Sequence, residues 1–405
     1  MRSSYLPLLR SPGAPAFSAA ALVGRMPISM LGIGSVLLVE DRRGSYALAG
    51  AVAAAFALGL AVGGPRVARL VDRLGQRAVL PWCLLVAAVA LVALVLAAGS
   101  ELPGAVLFAL AVVVGGALPP LGSCVRARWT YALAGRPDEV GTAMALESVA
   151  DEVVFVAGPA VVVVLATLLD PAAGLLTALA LCAAGTLVFV GLRGSEPPVH
   201  PHSGEALSAI RLPGLQTAAL AMVFVGVVFG GLEVVMVAFA QEQGREGAAG
   251  FLLPLIAVGS ACSGLLYGTR QWRSAPDRRF LASLVCLAVG VVPVLLAPGI
   301  ATMAPAALLA GLAVSPTLIG GFALAERLVP AQVRTEGFTW LNSGIGVGVA
   351  GGSAVGGALA ESSGSRTAFV TCLVGALAAL AVAAVRRSSL TVAPGGDLPA
   401  AHPHA

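Results

Sequence analysis

Apolar residues gather along this chain in twelve blocks, roughly 17–39, 45–65, 78–98, 103–125, 143–168, 172–192, 213–240, 248–268, 280–298, 302–325, 337–360 and 366–385. A helix needs about 20 apolar residues to cross the ~30 Å hydrocarbon layer of a bilayer, and each block is of that order. The pattern predicts an all-α membrane protein with twelve transmembrane helices. An even number of crossings puts both ends of the described pattern on one face of the membrane.

The breaks between blocks carry most of the charge. The densest is Gly63 to Arg77, where Arg66, Arg69, Arg73 and Arg77 stand with Asp72 between the second and third blocks. So much charge cannot sit in lipid, so this stretch reads as a short hinge at a membrane surface. Alternate breaks collect the arginines: nineteen fall on the hinge's side, while only Arg42, Arg43, Arg245 and Arg366 fall opposite. Short arginine-rich loops stay on the cytoplasmic side. The expected topology therefore has the hinge and both termini in the cytoplasm, in a bacterial inner (cell) membrane. Arg2 and Arg10 before the first block resemble the start of a secretion signal, but Arg25 interrupts that block and eleven more follow, so it reads as the first spanning helix.

The longest interior polar segment divides the blocks six and six. It gives the expected organisation: an N-terminal six-helix bundle over 1–192, a cytoplasmic linker over 193–212, a C-terminal bundle over 213–387 and a disordered tail over 388–405. The halves echo one another. Arg69 and Arg77 return as Arg270 and Arg278, Pro119 as Pro316, and Arg136-Pro137-Asp138-Glu139 as Arg334-Thr335-Glu336. Together these favour a duplicated six-helix unit.

Composition narrows the function classes. With 58% hydrophobic and 11% charged residues and a mean hydropathy of +0.94, the chain cannot clothe a soluble globule of 405 residues. It contains no lysine, and hence no Gly-x-x-x-x-Gly-Lys phosphate loop. All four histidines, His200, His202, His402 and His404, fall in linker or tail, and the six cysteines show no metal or disulfide spacing. An enzyme, a metal site, a bound cofactor and a nucleic-acid partner are all unexpected. The partners that remain are the lipid bilayer, a small-molecule substrate and protons, with the protein acting as a monomer.

Ionisable residues inside a span are costly and mark function by default. Arg25 sits beside Pro27 in the first block; Glu147, Asp151 and Glu152 lie in the fifth, with Glu147 and Asp151 on one face. Glu233 follows Gly226, Gly230 and Gly231 in the seventh. Arg25 and Asp151 are each eight residues past the start of their block, ~12 Å deep at ~1.5 Å per residue, so Arg25 can pair with Asp151 or Glu152. Such a pair, opened or protonated during a cycle, would couple substrate movement to protons; a static buried pair is the structural alternative. Glu233 lacks an obvious basic partner and is a second candidate for proton exchange or a cationic substrate. In the eleventh block Gly344, Gly348, Gly352 and Gly356 form one small-residue face for close helix packing or sliding. Trp340 and Asn342 lie near its cytoplasmic end, either along the pathway or at the interface.

The run Ala68-Arg69-Leu70-Val71-Asp72-Arg73-Leu74-Gly75-Gln76-Arg77 resembles the Gly-x-Leu-x-Asp-Arg-x-Gly-Arg-Arg/Lys signature of the major facilitator superfamily, with Leu70, Asp72, Arg73, Gly75 and Arg77 fitting and Ala68 and Gln76 departing. The resemblance implies two pseudo-symmetric six-helix bundles that alternate access to a central cavity, and a cytoplasmic gate in which the Asp72 position faces the start of helix 11. A carboxylate there is stabilised by the helix N-terminus and by arginine. The expected gate network is Asp72, Arg73, Arg77, Arg126 and Glu147, with Gly75 at the turn. Gly158-Pro159 keeps part of the helix 5 signature of the family's drug–proton antiporters, but the following glycines and the helix 4 arginine are missing. In general appearance the chain resembles actinobacterial efflux-type members. The expected function is proton-coupled efflux of a small amphipathic or hydrophobic compound; the alternative is a proton-coupled uptake symporter for a small polar metabolite, which the scarcity of Asn, Gln and aromatic residues disfavours.

Overall fold

The computed structural model describes residues 5–199, 208–270, 272 and 274–391. Twelve helical spans are long and apolar enough to cross a membrane: α1 (Ala14–Arg43), α2 (Tyr46–Leu74), α3 (Gln76–Ala98), α4 (Gly104–Ala132), α5 (Asp138–Leu168), α6 (Pro171–Gly191), α7 (Pro213–Glu242), α8 (Ala249–Thr269), α9 (Pro276–Leu296), α10 (Ile300–Leu328), α11 (Ala331–Ser363) and α12 (Ser365–Val385). Large apolar side chains such as Trp82, Val89, Leu96, Leu266, Val289 and Leu296 stand exposed on the outside. In water they would be a liability; against lipid tails they are the expected surface.

Several boundaries differ from the hydropathy pattern. The charged hinge is not a loop: α2 stays helical through Leu74, α3 begins at Gln76, and Gly75 alone turns the chain. Its φ of 91° and ψ of 153° lie where side chains with a Cβ are strained, so a glycine is required there. α4 breaks at Leu118 to Pro120, since two consecutive prolines withhold two N–H donors, and then resumes as Leu121–Ala132. α5 starts at Pro137 as an α-helix, several residues before its apolar block. α1 breaks into Ala14–Gly24 and Pro27–Arg43, with Arg25 and Met26 at the joint. The tail expected to be disordered from Ser388 begins with a helical turn, Arg387–Leu390, whose Leu390 is buried and whose Ser389 hydroxyl meets Thr217. Arg2, Arg273, His200, His202, Glu205, His402 and His404 lie outside the described residues.

The two halves repeat one arrangement. α2 meets α4 through Gly59, Gly63, Gly115 and Gly116, and α8 meets α10 through Gly259 and Gly311. In each place a Cβ would meet backbone atoms of the opposing helix, so the backbones are as close as glycine allows. On α11, Gly344, Gly348 and Gly352 lie against the backbone of Ala219, Val223 and Val227, and Gly356 against Val235 and Gly231. This glycine face packs on α7 within the C-terminal half rather than across the two halves.

The halves touch along two seams, α2 and the end of α4 against α11, and α5 against α8 and α10. Among the described residues, the hydrogen bonds and ion pairs that join the halves lie between the hinge face and mid-depth. The deepest, Ser260 to Glu152, falls near the midpoints of α8 and α5. The short helix Tyr5–Leu9 adds a strap on the hinge side: the Tyr5 hydroxyl donates to the Leu265 carbonyl at 3.0 Å. Burial pushes that phenol up to about 12, so it stays a donor. The molecule is thus closed on the hinge side, and among the described residues no hydrogen bond or ion pair joins the halves on the far side.

Candidate functional site

Breaking α1 at Arg25 is what builds the interior site. Pro27 has no N–H to continue the ladder, and the turn there leaves Arg25 pointing inward with 1% of its side chain accessible. Its Nη2 lies 2.8 Å from Glu147 Oε2 and its Nη1 3.3 Å from Asp151 Oδ1. Glu147 and Asp151, one helical turn apart on α5, both face it. No side-chain nitrogen of Arg25 makes a well-directed hydrogen bond, so these contacts are charge against charge.

The chain of charges continues. Arg126 Nη2 donates to Asp151 Oδ2 at 2.6 Å and Nη1 to the Gly122 carbonyl at 2.9 Å. Its guanidinium lies 4.1 Å above the Phe322 ring of α10, in the other half. At the opposite end Glu147 Oε1 accepts from Ser18 Oγ at 2.7 Å and Trp129 Nε1 at 2.8 Å. The order Glu147, Arg25, Asp151, Arg126 alternates in sign and sums to zero, which is how four charges survive burial. Glu147 and Arg126 are almost wholly inaccessible, whereas Asp151 keeps 24% of its side chain accessible. Of the four, Asp151 is the one that a solute could reach.

This corrects the expected gate. Arg126 and Glu147 do not join Asp72; they belong to the deep cluster with Arg25 and Asp151. Ending α4 and starting α5 at the apolar boundaries put both residues at the membrane surface. The helices run on through the polar stretches, so Arg126 lies well before the end of α4 and Glu147 well inside α5.

The hinge-side seam is built from other residues. Asp72 accepts the backbone N–H of Thr335 at 3.1 Å and of Glu336 at 2.8 Å, two of the free donors at the start of α11's long helix, Arg334–Ser363. Those donors and the helix dipole both favour a carboxylate. Glu336, fully buried, accepts from Arg69 Nη2 at 2.7 Å and Nε at 3.2 Å, from Ser208 Oγ at 2.9 Å and from Trp340 Nε1 at 3.3 Å. Deeper in the seam Ser123 Oγ accepts from Thr339 at 2.8 Å and from the Asn342 amide at 3.2 Å. Asn342 thus bonds across the seam, while Trp340 holds Glu336 within α11.

Arg73 and Arg77 make no ion pair among the described residues. The Arg77 backbone N–H donates to Glu196 Oε1 at 2.9 Å, and its side chain lines a 570 Å³ surface cleft with Arg193 and Glu196. Arg69 and Glu336 were missed as gate residues, although Arg69 lies inside the quoted signature and Glu336 in the repeated Arg334-Thr335-Glu336. Arg128 was also missed: it lies buried 3.7 Å over Phe189 and donates to Gln76, Leu192 and Ser195, tying α3, α4 and α6 together.

Glu152 points away from the cluster. Its Oε1 accepts Ser260 Oγ at 2.5 Å, and Ser260 and Ser315 share a hydroxyl contact at 2.9 Å. Glu233 on α7 is exposed and has no partner among the described residues. No group of three or more His, Cys, Asp or Glu side chains suited to a metal occurs among the described residues.

The fold has twelve spans among the described residues, in two related halves, with a charged seam at one face and a buried charge cluster inside. Residues 17–304 and 218–397 match the Major Facilitator Superfamily in two overlapping stretches, and the chain belongs to that family. It is a transporter and not an enzyme. No curated protein matches the sequence. Similar solved structures include a bacterial homologue of the iron transporter ferroportin in an outward-facing state, at 16% identity over 93% of this chain and 99% of that one, with a TM-score of 0.74. The human organic anion transporter MFSD10 (TETRAN) is similar at 17% identity over 91% and 98%, TM-score 0.71. The transporter FucP in its outward conformation is similar at 15% identity over 95% and 99%, TM-score 0.71.

Proposed function

We propose that the chain exports a small amphipathic or hydrophobic compound across a bacterial inner membrane in exchange for protons, by rocking its N-terminal bundle (1–192) against its C-terminal bundle (213–387) about the linker over 193–212. The arginine balance supports a cytoplasmic hinge side, because Arg66, Arg69, Arg73 and Arg77 fall there against Arg42 and Arg43 opposite within the first three spans. With that orientation, the seams closed at the hinge face correspond to an outward-open state, and the Asp72–α11 and Arg69–Glu336 contacts form its cytoplasmic gate.

The observation that carries the reading is the alternating cluster Glu147–Arg25–Asp151–Arg126, buried yet accessible at Asp151. Breaking a buried ion pair costs about 3–5 kcal/mol, so such a cluster persists in a transport path where its rearrangement is useful. The acids within the spans, Asp151, Glu152 and Glu233, are the groups able to take up and release a proton.

The test is a proteoliposome assay with a pH-sensitive dye trapped inside and a panel of amphipathic cations, neutral hydrophobes and small polar metabolites. Proton efflux driven by a compound moving inward, abolished in Arg25→Ala and Asp151→Ala, supports exchange. Co-directional movement of protons with a polar metabolite would establish the symporter instead, and compound flux without proton movement would reject coupling.

A further inference from the structure

Two adjacent acids on α5 have opposite surroundings. Asp151 is clamped by Arg25 and Arg126, two permanent cations, and Glu147 shares Arg25. Glu152 turns toward the other half and meets no cation. The elements packed around it offer these groups: α1 and α4 present Arg25 and Arg126, both engaged by Asp151; α5 itself presents Asp151 and Glu147; α8 and α10 present only the hydroxyls Ser260 and Ser315. The side chain is part-exposed, near the middle of the membrane, at the deepest bond between the halves.

The geometry of that bond is directional. Ser260 Oγ donates to Glu152 Oε1 at 2.5 Å, in the range of a hydroxyl donating to a charged carboxylate. Ser315 lies 2.9 Å from Ser260 and can donate in turn, so two hydroxyls of the C-terminal half are in line toward one carboxylate of the N-terminal half. A charge-assisted bond is roughly twice as strong as a neutral one. Protonation of Glu152 therefore weakens the α5–α8 seam where it runs deepest.

We propose that Glu152, read by Ser260 and Ser315, is the proton-sensing link between the halves: ionised, it holds the hinge side shut, and on taking up a proton it releases α5 from α8 so that the hinge side can open. This rests on the reading of the chain as a proton-coupled transporter and names its coupling group. The proton arrives from the far side, where no bond among the described residues joins the halves, binds a Glu152 oxygen, and leaves on the hinge side once the seam has parted. No covalent bond other than O–H is made or broken. An empty, deprotonated transporter stays locked, so protons and substrate do not leak separately.

The experiment reads the seam itself and needs no substrate. Spin labels at the hinge-side ends of α5 and α8, in a cysteine-free full-length chain reconstituted in lipid, report their separation from about pH 5 to about pH 9. In the otherwise wild-type chain the short distance should dominate at high pH and give way to a longer one as pH falls. Glu152→Gln, which mimics the protonated acid, should hold the long-distance population at every pH. Ser260→Ala keeps the acid but removes its donor; the loss of a hydrogen bond to a charged group should raise the midpoint by about one to two pH units. An unchanged pH response in Glu152→Gln, or an unmoved midpoint in Ser260→Ala, overturns the assignment while leaving proton coupling standing. A wild-type separation that ignores pH overturns both.

Discussion

The two halves have the same helices in the same places and fill their interiors in opposite ways. Pro119 of α4 and Pro316 of α10 are 197 residues apart, and the same interval carries Glu147 and Asp151 of α5 to Gly344 and Gly348 of α11. In the N-terminal half, α5 presents those carboxylates to Arg25 of a broken α1. In the C-terminal half, α11 presents those glycines to the backbone of an unbroken α7. Backbone against backbone is short-ranged and tolerates no change of distance, whereas charges at 2.6–3.3 Å can exchange partners over a small movement. The C-terminal half is built as a rigid body, and the N-terminal half carries the part that can be rearranged.

The strongest way to break this contrast is to unpair the cluster. Arg25→Ala and Asp151→Ala each leave a buried charge without its partner, a cost of about 3–5 kcal/mol, and should abolish transport and lower the unfolding temperature in detergent. Retained transport in either would remove the cluster from the mechanism. Next comes the glycine face. Gly348→Val would drive a side chain into the Val223 carbonyl and force α7 from α11, so we expect little folded protein in size-exclusion chromatography. Gly351→Ala, where a Cβ meets nothing, should behave as wild type.

A smaller effect is expected at the seam. Asp72→Asn keeps the shape but removes the charge that faces two helix N-terminal donors, which should slow transport about tenfold while membrane insertion, followed by fractionation, stays intact. The smallest is Tyr5→Phe. Losing one bond of about 1 kcal/mol should raise hinge-side thiol labelling in the α5–α8 seam about fivefold at most, and no change would show that the N-terminal strap is passive.

The spans were legible because lipid imposes a one-dimensional rule, apolar stretches of a set length separated by charge. The pairing of Arg25 with an acid of α5 followed from the same rule, since depth along a helix is countable. What could not be counted was where helices continue through polar residues. Arg126 and Glu147 were assigned to the hinge-side gate, and only the tertiary structure carried α4 and α5 past their apolar boundaries to bring both residues into the cluster of Arg25 and Asp151. Likewise, Asp72 advertised itself through the hinge signature, but its partners, the amides of Thr335 and Glu336, carry no side-chain signal at all. Sequence determined how deep Arg25 and Asp151 lie; tertiary packing decided which charges meet, because contact between spans depends on helix rotation and on breaks such as Leu118 to Pro120, which hydropathy does not record.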